Sequence, residues 1–187
     1  MNHHPTTPPP HHLTLAQRCA AIELLVLDVD GVLTDGGIVY GPGWEVKHFH
    51  VRDGSGLKLW HRAGKRSAIL RGRTSPVVEV RAAELDVAFV AQGAAEKLSA
   101  YRDLLGRAGV SPEATCYVGD DVPDLPPLRQ CGLAVAVADA CPEVRADAHY
   151  LTRAPGGRGA VREAIELILR CQGRWQRAVE RYRGERL

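Results

Sequence analysis

The sequence predicts an α/β fold, a doubly wound parallel sheet with helices on both faces, from three observations. Short apolar runs alternate with helical patterns through most of the chain. Two acidic clusters, far apart in sequence, each follow directly on one of those runs. One segment, residues 38–50, interrupts the alternation with a hairpin pattern. Strands buried on both faces read as continuous apolar runs, and their alternation with helices is the mark of parallel topology.

The 187 residues suit one domain with short appendages. Residues 1–12 are rich in Pro, His and Thr and lack the apolar stretch of a signal peptide, so they read as a disordered tail. Its four histidines are interrupted by proline and have no fixed metal-binding spacing. Leu13 to Ala21 has the pattern of a short amphipathic helix. Ile22 to Leu27 is the first strand, and further strands are expected at Ser67–Leu70, Val87–Val90, Thr115–Val118 and Leu133–Val137. Helical patterns fill about 53–63, 75–85, 94–108 and 122–130.

Ile38–Tyr40 and Glu45–His50 flank Gly41-Pro42-Gly43, a hairpin signal with more than a two-residue turn. Placed directly after the first strand of a parallel sheet, it predicts an active-site flap or an oligomer contact. From Gly159 the spacing of Val161, Ile165, Ile168 and Leu169 predicts one long helix to about Arg181, with Gly173 placed to break it. Arg174, Arg177, Arg181, Arg183 and Arg186 read as a solvated basic tail, 174–187, rather than an RNA-binding one. The domain is thus expected over residues 13–173.

Hydrophobic residues make up 45% of the chain, enough for a core, and the net charge of +2 gives no field for nucleic acid. No apolar run is long enough to span a membrane. The five cysteines are odd in number and include no Cys-x-x-Cys pair, which argues against a disulfide framework or a zinc site. A reducing cytoplasm is the expected setting.

The chemistry concentrates in Asp28-Val29-Asp30-Gly31-Val32-Leu33-Thr34-Asp35, at the C-terminal end of the first strand. Ligands bind at that edge of open parallel sheets. Residues two apart on a strand point to one side, so Asp28 and Asp30 can converge. Adjacent carboxylates repel unless a cation joins them, and a dense set of oxygens suits Mg2+. The second cluster, Gly119-Asp120-Asp121-Val122-Pro123-Asp124, follows the strand Thr115–Val118 and emerges at the same edge. Asp120 can complete a metal site with Asp28 and Asp30. Between the clusters lies Lys97, near a helix start, where both the lysine and the helix N-terminus favour phosphate.

These strings resemble the haloacid dehalogenase superfamily: Asp28 to Thr34 its first motif, Lys97 its third and Gly119-Asp120-Asp121 its fourth. The likeness narrows to the 3-deoxy-D-manno-octulosonate 8-phosphate phosphatases and their sialic-acid-type relatives. Phe49-His50-Val51-Arg52-Asp53-Gly54, Val135 to Ala140 and Gly156-Gly157-Arg158-Gly159-Ala160-Val161-Arg162-Glu163 match them, from about Leu13 to Gly173. The resemblance implies a Rossmann-like fold with a hairpin flap and no large cap. It also implies that Asp28 is the nucleophile and Asp30 the acid–base, and that Lys97 stabilises the transferring phosphoryl group. Mg2+ would be held by Asp28, Asp120 and the backbone carbonyl of Asp30. It further implies a role in lipopolysaccharide biosynthesis and a homotetramer whose hairpins meet at its centre. Arg71, Gly72, Arg73 and Asp121 fall among its phosphate and substrate contacts, and Arg158, Arg73, Lys47 and Arg81 are candidates for the substrate carboxylate.

One residue departs from the pattern. The second motif carries Thr or Ser before Gly-Arg, whereas this chain reads Leu70-Arg71-Gly72-Arg73. Arg71 can bind the phosphoryl group with two bonds, or pair with Asp28 and blunt the nucleophile. The expectation is a slower phosphatase in which Arg71→Thr raises kcat. The alternatives are a nonulosonate 9-phosphate phosphatase and a catalytically weak tetrameric scaffold. A receiver domain is set aside, since here the adjacent acidic pair comes late in the chain.

Overall fold

The computed structural model describes residues 13–180 together with Tyr182 and Gly184; the expected tail 1–12 and Arg181, Arg183 and Arg186 lie outside the described residues. Thr14 starts the first helix with a capping box. Its hydroxyl accepts the Gln17 N–H at 3.3 Å, and Gln17 Oε1 accepts the Thr14 N–H at 2.8 Å. The elements then run α1 (Leu15–Ala21), β1 (Leu24–Leu27), β2 (Val39–Gly41), β3 (Trp44–Val46), α2 (Val51–Arg62), β4 (Arg66–Leu70), α3 (Pro76–Glu84), β5 (Phe89–Ala91) and α4 (Lys97–Ala108). The second half continues with β6 (Thr115–Gly119), a 3-10 turn at Val122–Asp124, α5 (Leu125–Leu128), β7 (Leu133–Ala136), α6 (Pro142–Asp147), β8 (Tyr150–Leu151), α7 (Ala160–Cys171) and α8 (Trp175–Glu180).

Six parallel strands form the main sheet in the order β5-β4-β1-β6-β7-β8. The central strands β1, β6 and β7 are buried along their whole length, as their apolar composition requires. Helices α1, α2, α7 and α8 pack together on one face, and α4, α5 and α6 on the other. Leu27 of β1 stands level with Ile69 of β4 and Val118 of β6. The chain therefore leaves these three neighbouring strands side by side, at Asp28, Arg71 and Asp120. Strand order reverses across β1, so this edge is the topological switch point.

Four features differ from the sequence expectation. The sheet has a sixth strand, β8, whose two residues are too short to register as an apolar run. The helix expected at 122–130 is a 3-10 turn and a single α-turn, because Pro123, Pro126 and Pro127 remove backbone donors. The hairpin has a two-residue turn after all: Gly41 pairs with Trp44 around Pro42-Gly43, with Gly43 at φ +77°. The C-terminal helix divides at Gln172-Gly173 into α7 and α8, as the placement of Gly173 anticipates, but α8 is not a tail. The stretch expected as a tail from residue 174 thus begins with a packed helix, its Trp175 buried with Arg162 and Arg170 each 5.0 Å from the ring. Among the described residues, no helix is long and apolar enough to cross a membrane.

Candidate active site

Asp28 continues the sheet beyond β1, its N–H donating to Val118 O at 3.1 Å, so the carboxylate is fixed at the strand end. The chain then turns sharply at Gly31, which has φ +87°. A Cβ there would lie 2.0 Å from Asp120 Oδ2, so only glycine lets the second acidic cluster close over the first. From the other side, the loop after β8 packs backbone to backbone, and a Cβ on Gly156 would lie 1.7 Å from Gly31 O. Asp53, buried in the first turn of α2, fixes that loop by accepting the N–H groups of Gly159 at 3.1 Å and Arg162 at 2.8 Å.

Lys97, the first residue of α4, reaches into the same edge. Its Nζ lies 3.1 Å from Asp28 Oδ2 and 2.6 Å from Asp124 Oδ1. Burial works against its charge, but Asp28 and Asp124 hold its pKa above the usual lysine value. Asp124 is fully buried and fully bonded. The Tyr117 hydroxyl donates to Oδ1 at 2.6 Å, and the N–H groups of Asp120 and Asp121 donate to Oδ2 at 3.1 and 3.3 Å.

One carboxylate oxygen each of Asp28, Asp120 and Asp124 lie within 4.8 Å of one another. Burial, then Asp124, push Asp28 up to about 6 against the pull of Lys97. Burial, then Asp28 and Asp124, push Asp120 up to about 8. Asp120 Oδ1 is buried and has no hydrogen-bond partner. One lysine does not offset three carboxylates, and a buried acceptor without a donor is rare. Both deficits are met by a hard divalent cation, and the all-oxygen donor set suits Mg2+.

Asp30 is held apart from this cluster. Lys47 Nζ donates to its Oδ1 at 2.6 Å and Arg71 NH2 to its Oδ2 at 2.6 Å. Burial raises the Asp30 pKa, but these two cations bring it below the usual carboxylate value. The Asp30 carboxylate is therefore absent from the acidic triad, contrary to the convergence expected from strand spacing, because β1 ends at Leu27 and the chain already turns at Val29, whose carbonyl accepts the Leu33 N–H at 2.9 Å. Arg71 pairs with Asp30 and not with Asp28, so it does not blunt the expected nucleophile.

The other expected contacts divide into near and far. Gly72 and Lys97 line one cleft of about 320 Å3 with Glu96 and Pro123. Arg73 bonds the Tyr40 hydroxyl of the hairpin. Arg158 lies 3.5 Å from Asp35 and lines a groove of about 580 Å3 with Arg52 and Arg162. Asp121, expected as a substrate contact, caps the 3-10 turn of Asp124. Arg81 is engaged away from the acidic edge, with Glu84 at 2.8 Å and the Phe49 ring at 5.4 Å.

Residues 67–165 match the haloacid dehalogenase-like hydrolase family. The chain is 47% identical over 163 residues to 3-deoxy-D-manno-octulosonate 8-phosphate phosphatase of Yersinia pestis, covering 87% of each chain. With the Escherichia coli K12 enzyme of that name it shares 48% over 158 residues, 84% of each. The chain belongs to this phosphatase family. A crystal structure of the Moraxella catarrhalis phosphatase with magnesium, phosphate and a KDO molecule superposes with a TM-score of 0.87 at 39% identity, over 89% of this chain and 97% of that one.

Within this phosphatase family fold, three residues of the edge escape a reading of the sequence alone. Asp124 sits inside the second acidic cluster, and its only local signal is that it is the last residue of a Gly-Asp-Asp-x-x-Asp string. Gln92 and Ser75 join the edge through Arg71 and carry no signal at all.

Proposed function

We propose that this chain is a Mg2+-dependent phosphomonoesterase that hydrolyses a sugar-acid phosphate, 3-deoxy-D-manno-octulosonate 8-phosphate foremost, through an aspartyl-phosphate on Asp28. The observation that carries this reading is the joint position of Asp28, Lys97 and Asp120 at one strand edge, with Lys97 3.1 Å from Asp28. Asp28 and Asp120 would hold the ion together with the backbone carbonyl of Asp30. When bound, Mg2+ supplies the positive charge that lets these carboxylates coexist beside a phosphate.

Asp28 attacks phosphorus as its bond to the sugar oxygen breaks. Asp30, which rests ionised between Lys47 and Arg71, takes up a proton from solvent before this step and gives it to the leaving alkoxide. It then takes a proton from the water that splits the aspartyl-phosphate, freeing phosphate and restoring Asp28. The resting ion pairs of Asp30 with Lys47 and Arg71 favour its proton-accepting state. Lys97 balances the charge on the phosphoryl oxygens, steadied by Asp124. Gly72 shares the Lys97 cleft and belongs to the phosphate end, while Arg73, on the hairpin side, and Arg158 are the candidates for the sugar-acid carboxylate.

The reading extends to a cytoplasmic enzyme of lipopolysaccharide biosynthesis and to a homotetramer, the assembly supported by the exposed Ile38, Val39, Tyr40 and Trp44 of the hairpin. The test is hydrolysis of a panel of eight- and nine-carbon sugar-acid phosphates with and without Mg2+. Selective, Mg2+-dependent release of phosphate from the octulosonate is expected. Turnover confined to the nonulosonates would reassign the substrate, and none on any member would overturn the reading.

A further inference from the structure

We infer that Arg71 is a positioning residue for Asp30, one member of a closed ring of six residues that sets the place and plane of that carboxylate, and that it is not a ligand of the phosphoryl group. The inference rests on the phosphatase reading above and adds a device that the family resemblance does not supply, since Arg71 stands where the family pattern has a hydroxyl.

The ring can be followed atom by atom. Arg71 NH2 donates to Asp30 Oδ2 at 2.6 Å, and its NH1 donates to Gln92 Oε1 at 3.2 Å. Gln92 Oε1 also accepts the Ser75 N–H at 3.0 Å. The Ser75 hydroxyl donates to Glu45 Oε2. Glu45 Oε1 lies 3.2 Å from Lys47 Nζ, which returns to Asp30 Oδ1 at 2.6 Å. The members come from the loop after β1, the hairpin, the segment after β4 and the end of β5, so four separate parts of the chain converge on one carboxylate.

Two features assign the ring to positioning rather than phosphate binding. Each oxygen of Asp30 is held by a different cation, which fixes rotation of the carboxylate about its Cβ–Cγ bond; a single partner would leave that rotation free. While Asp30 is ionised the ring is also neutral, with Arg71 and Lys47 matched by Asp30 and Glu45, so in that state Arg71 is committed to Asp30 and not to a phosphate. Arg71 is buried to 1% exposure and the Lys47 side chain is wholly buried, so neither partner drifts into solvent. Displacing a reacting group by about 1 Å costs on the order of a hundredfold in rate. The ring therefore reverses the sequence expectation that Arg71→Thr raises kcat.

The test is steady-state kinetics of wild type, Arg71→Ala, Arg71→Thr and Gln92→Ala on a sugar-acid phosphate, with inorganic phosphate as product inhibitor. We expect Arg71→Ala and Arg71→Thr to lower kcat roughly a hundredfold. KM and the phosphate inhibition constant should stay near wild type, and added guanidinium should restore part of the rate of Arg71→Ala. Gln92→Ala, which loosens Arg71 without removing charge, should lower kcat by a smaller factor at unchanged KM. An increase in kcat for Arg71→Thr, or a loss expressed mainly as raised KM and weakened phosphate inhibition, overturns the inference. If the Arg71 variants do not fold, Gln92→Ala decides, and an unchanged kcat there overturns it. A wild type without phosphatase turnover removes the parent reading and this one together, whereas an active wild type matched by Arg71→Ala removes this one alone.

Discussion

Lys97 and Asp124 form a buried ion pair, Nζ to Oδ1 at 2.6 Å, on the same oxygen that accepts the Tyr117 hydroxyl. Asp124 thereby fixes the one lysine that also reaches Asp28. Removing one partner of a buried pair typically costs about 3–5 kcal/mol. Asp124→Ala should therefore lower the denaturation midpoint strongly and reduce kcat, because Lys97 is left with Asp28 alone. Asp124→Asn, which keeps an acceptor, should fall between. Chemical denaturation and kinetics on the same preparations check both.

Asp28→Asn should abolish turnover and leave the fold intact, since an amide cannot form the acyl phosphate. The substitution also removes one of three crowded carboxylates, so no loss of thermal stability is expected. A variant that retains a tenth of the wild-type rate would remove Asp28 from the nucleophile's role.

Metal removal should stop hydrolysis, and Mg2+ should restore it. Stability gives a second readout. The Asp28 and Asp120 carboxyls, raised from 3.8 to about 6 and about 8, hold protons more tightly in the folded chain than in the unfolded one. Their contribution is complete below the ordinary carboxylate pKa and is lost as pH rises through about 6 and then about 8. Metal-free protein should therefore lose thermal stability over that range, and Mg2+ should flatten the slope. Melting curves from pH 4 to 9, with chelator or with Mg2+, measure it.

Gly156→Ala should be destabilising and inactivating together. The added methyl meets the Gly31 carbonyl at 1.7 Å, and backbone on both sides leaves little to yield. Overpacking of this kind costs about 1–3 kcal/mol or more. The displacement falls on the loop that carries Asp30, so kcat should drop beyond what the loss of stability explains.

The hairpin should mediate assembly. Tyr40 and Trp44 are exposed on a two-stranded ribbon with unpaired edges, and such edges are usually covered. Light scattering should give a tetramer, and Trp44→Glu should shift it to smaller species. A monomeric wild type would contradict this.

Much of this architecture was legible in the sequence for a physical reason. The β1, β6 and β7 segments are buried on both faces, so their composition alone marks them. Asp28 and Asp120 were legible because they end such runs, and Lys97 because it opens a helix. Asp124, Gln92 and Ser75 were not, because their roles arise from pairings across 27, 21 and 30 residues that leave no local pattern. The Asp30 carboxylate was misplaced because strand alternation was carried past the end of β1 at Leu27 and into the turn that starts at Val29.

The close packing of Gly156 against Gly31 also bears on when the enzyme becomes competent during synthesis. The nucleophile loop emerges from the ribosome early, and all six strands of the sheet exist once Leu151 has been made. A chain ending at Pro155 would have the sequence of every strand and every acidic group of the edge, yet its first loop would have nothing behind it and one face of the sheet would lack α7. Domains tend to fold as they emerge, N-terminal part first. Here the glycine-rich loop and α7, with its buried Val161, Ile165 and Ile168, arrive last and dock onto a segment made more than a hundred residues before, so competence should appear only once the chain is complete through α7 and free of the ribosome.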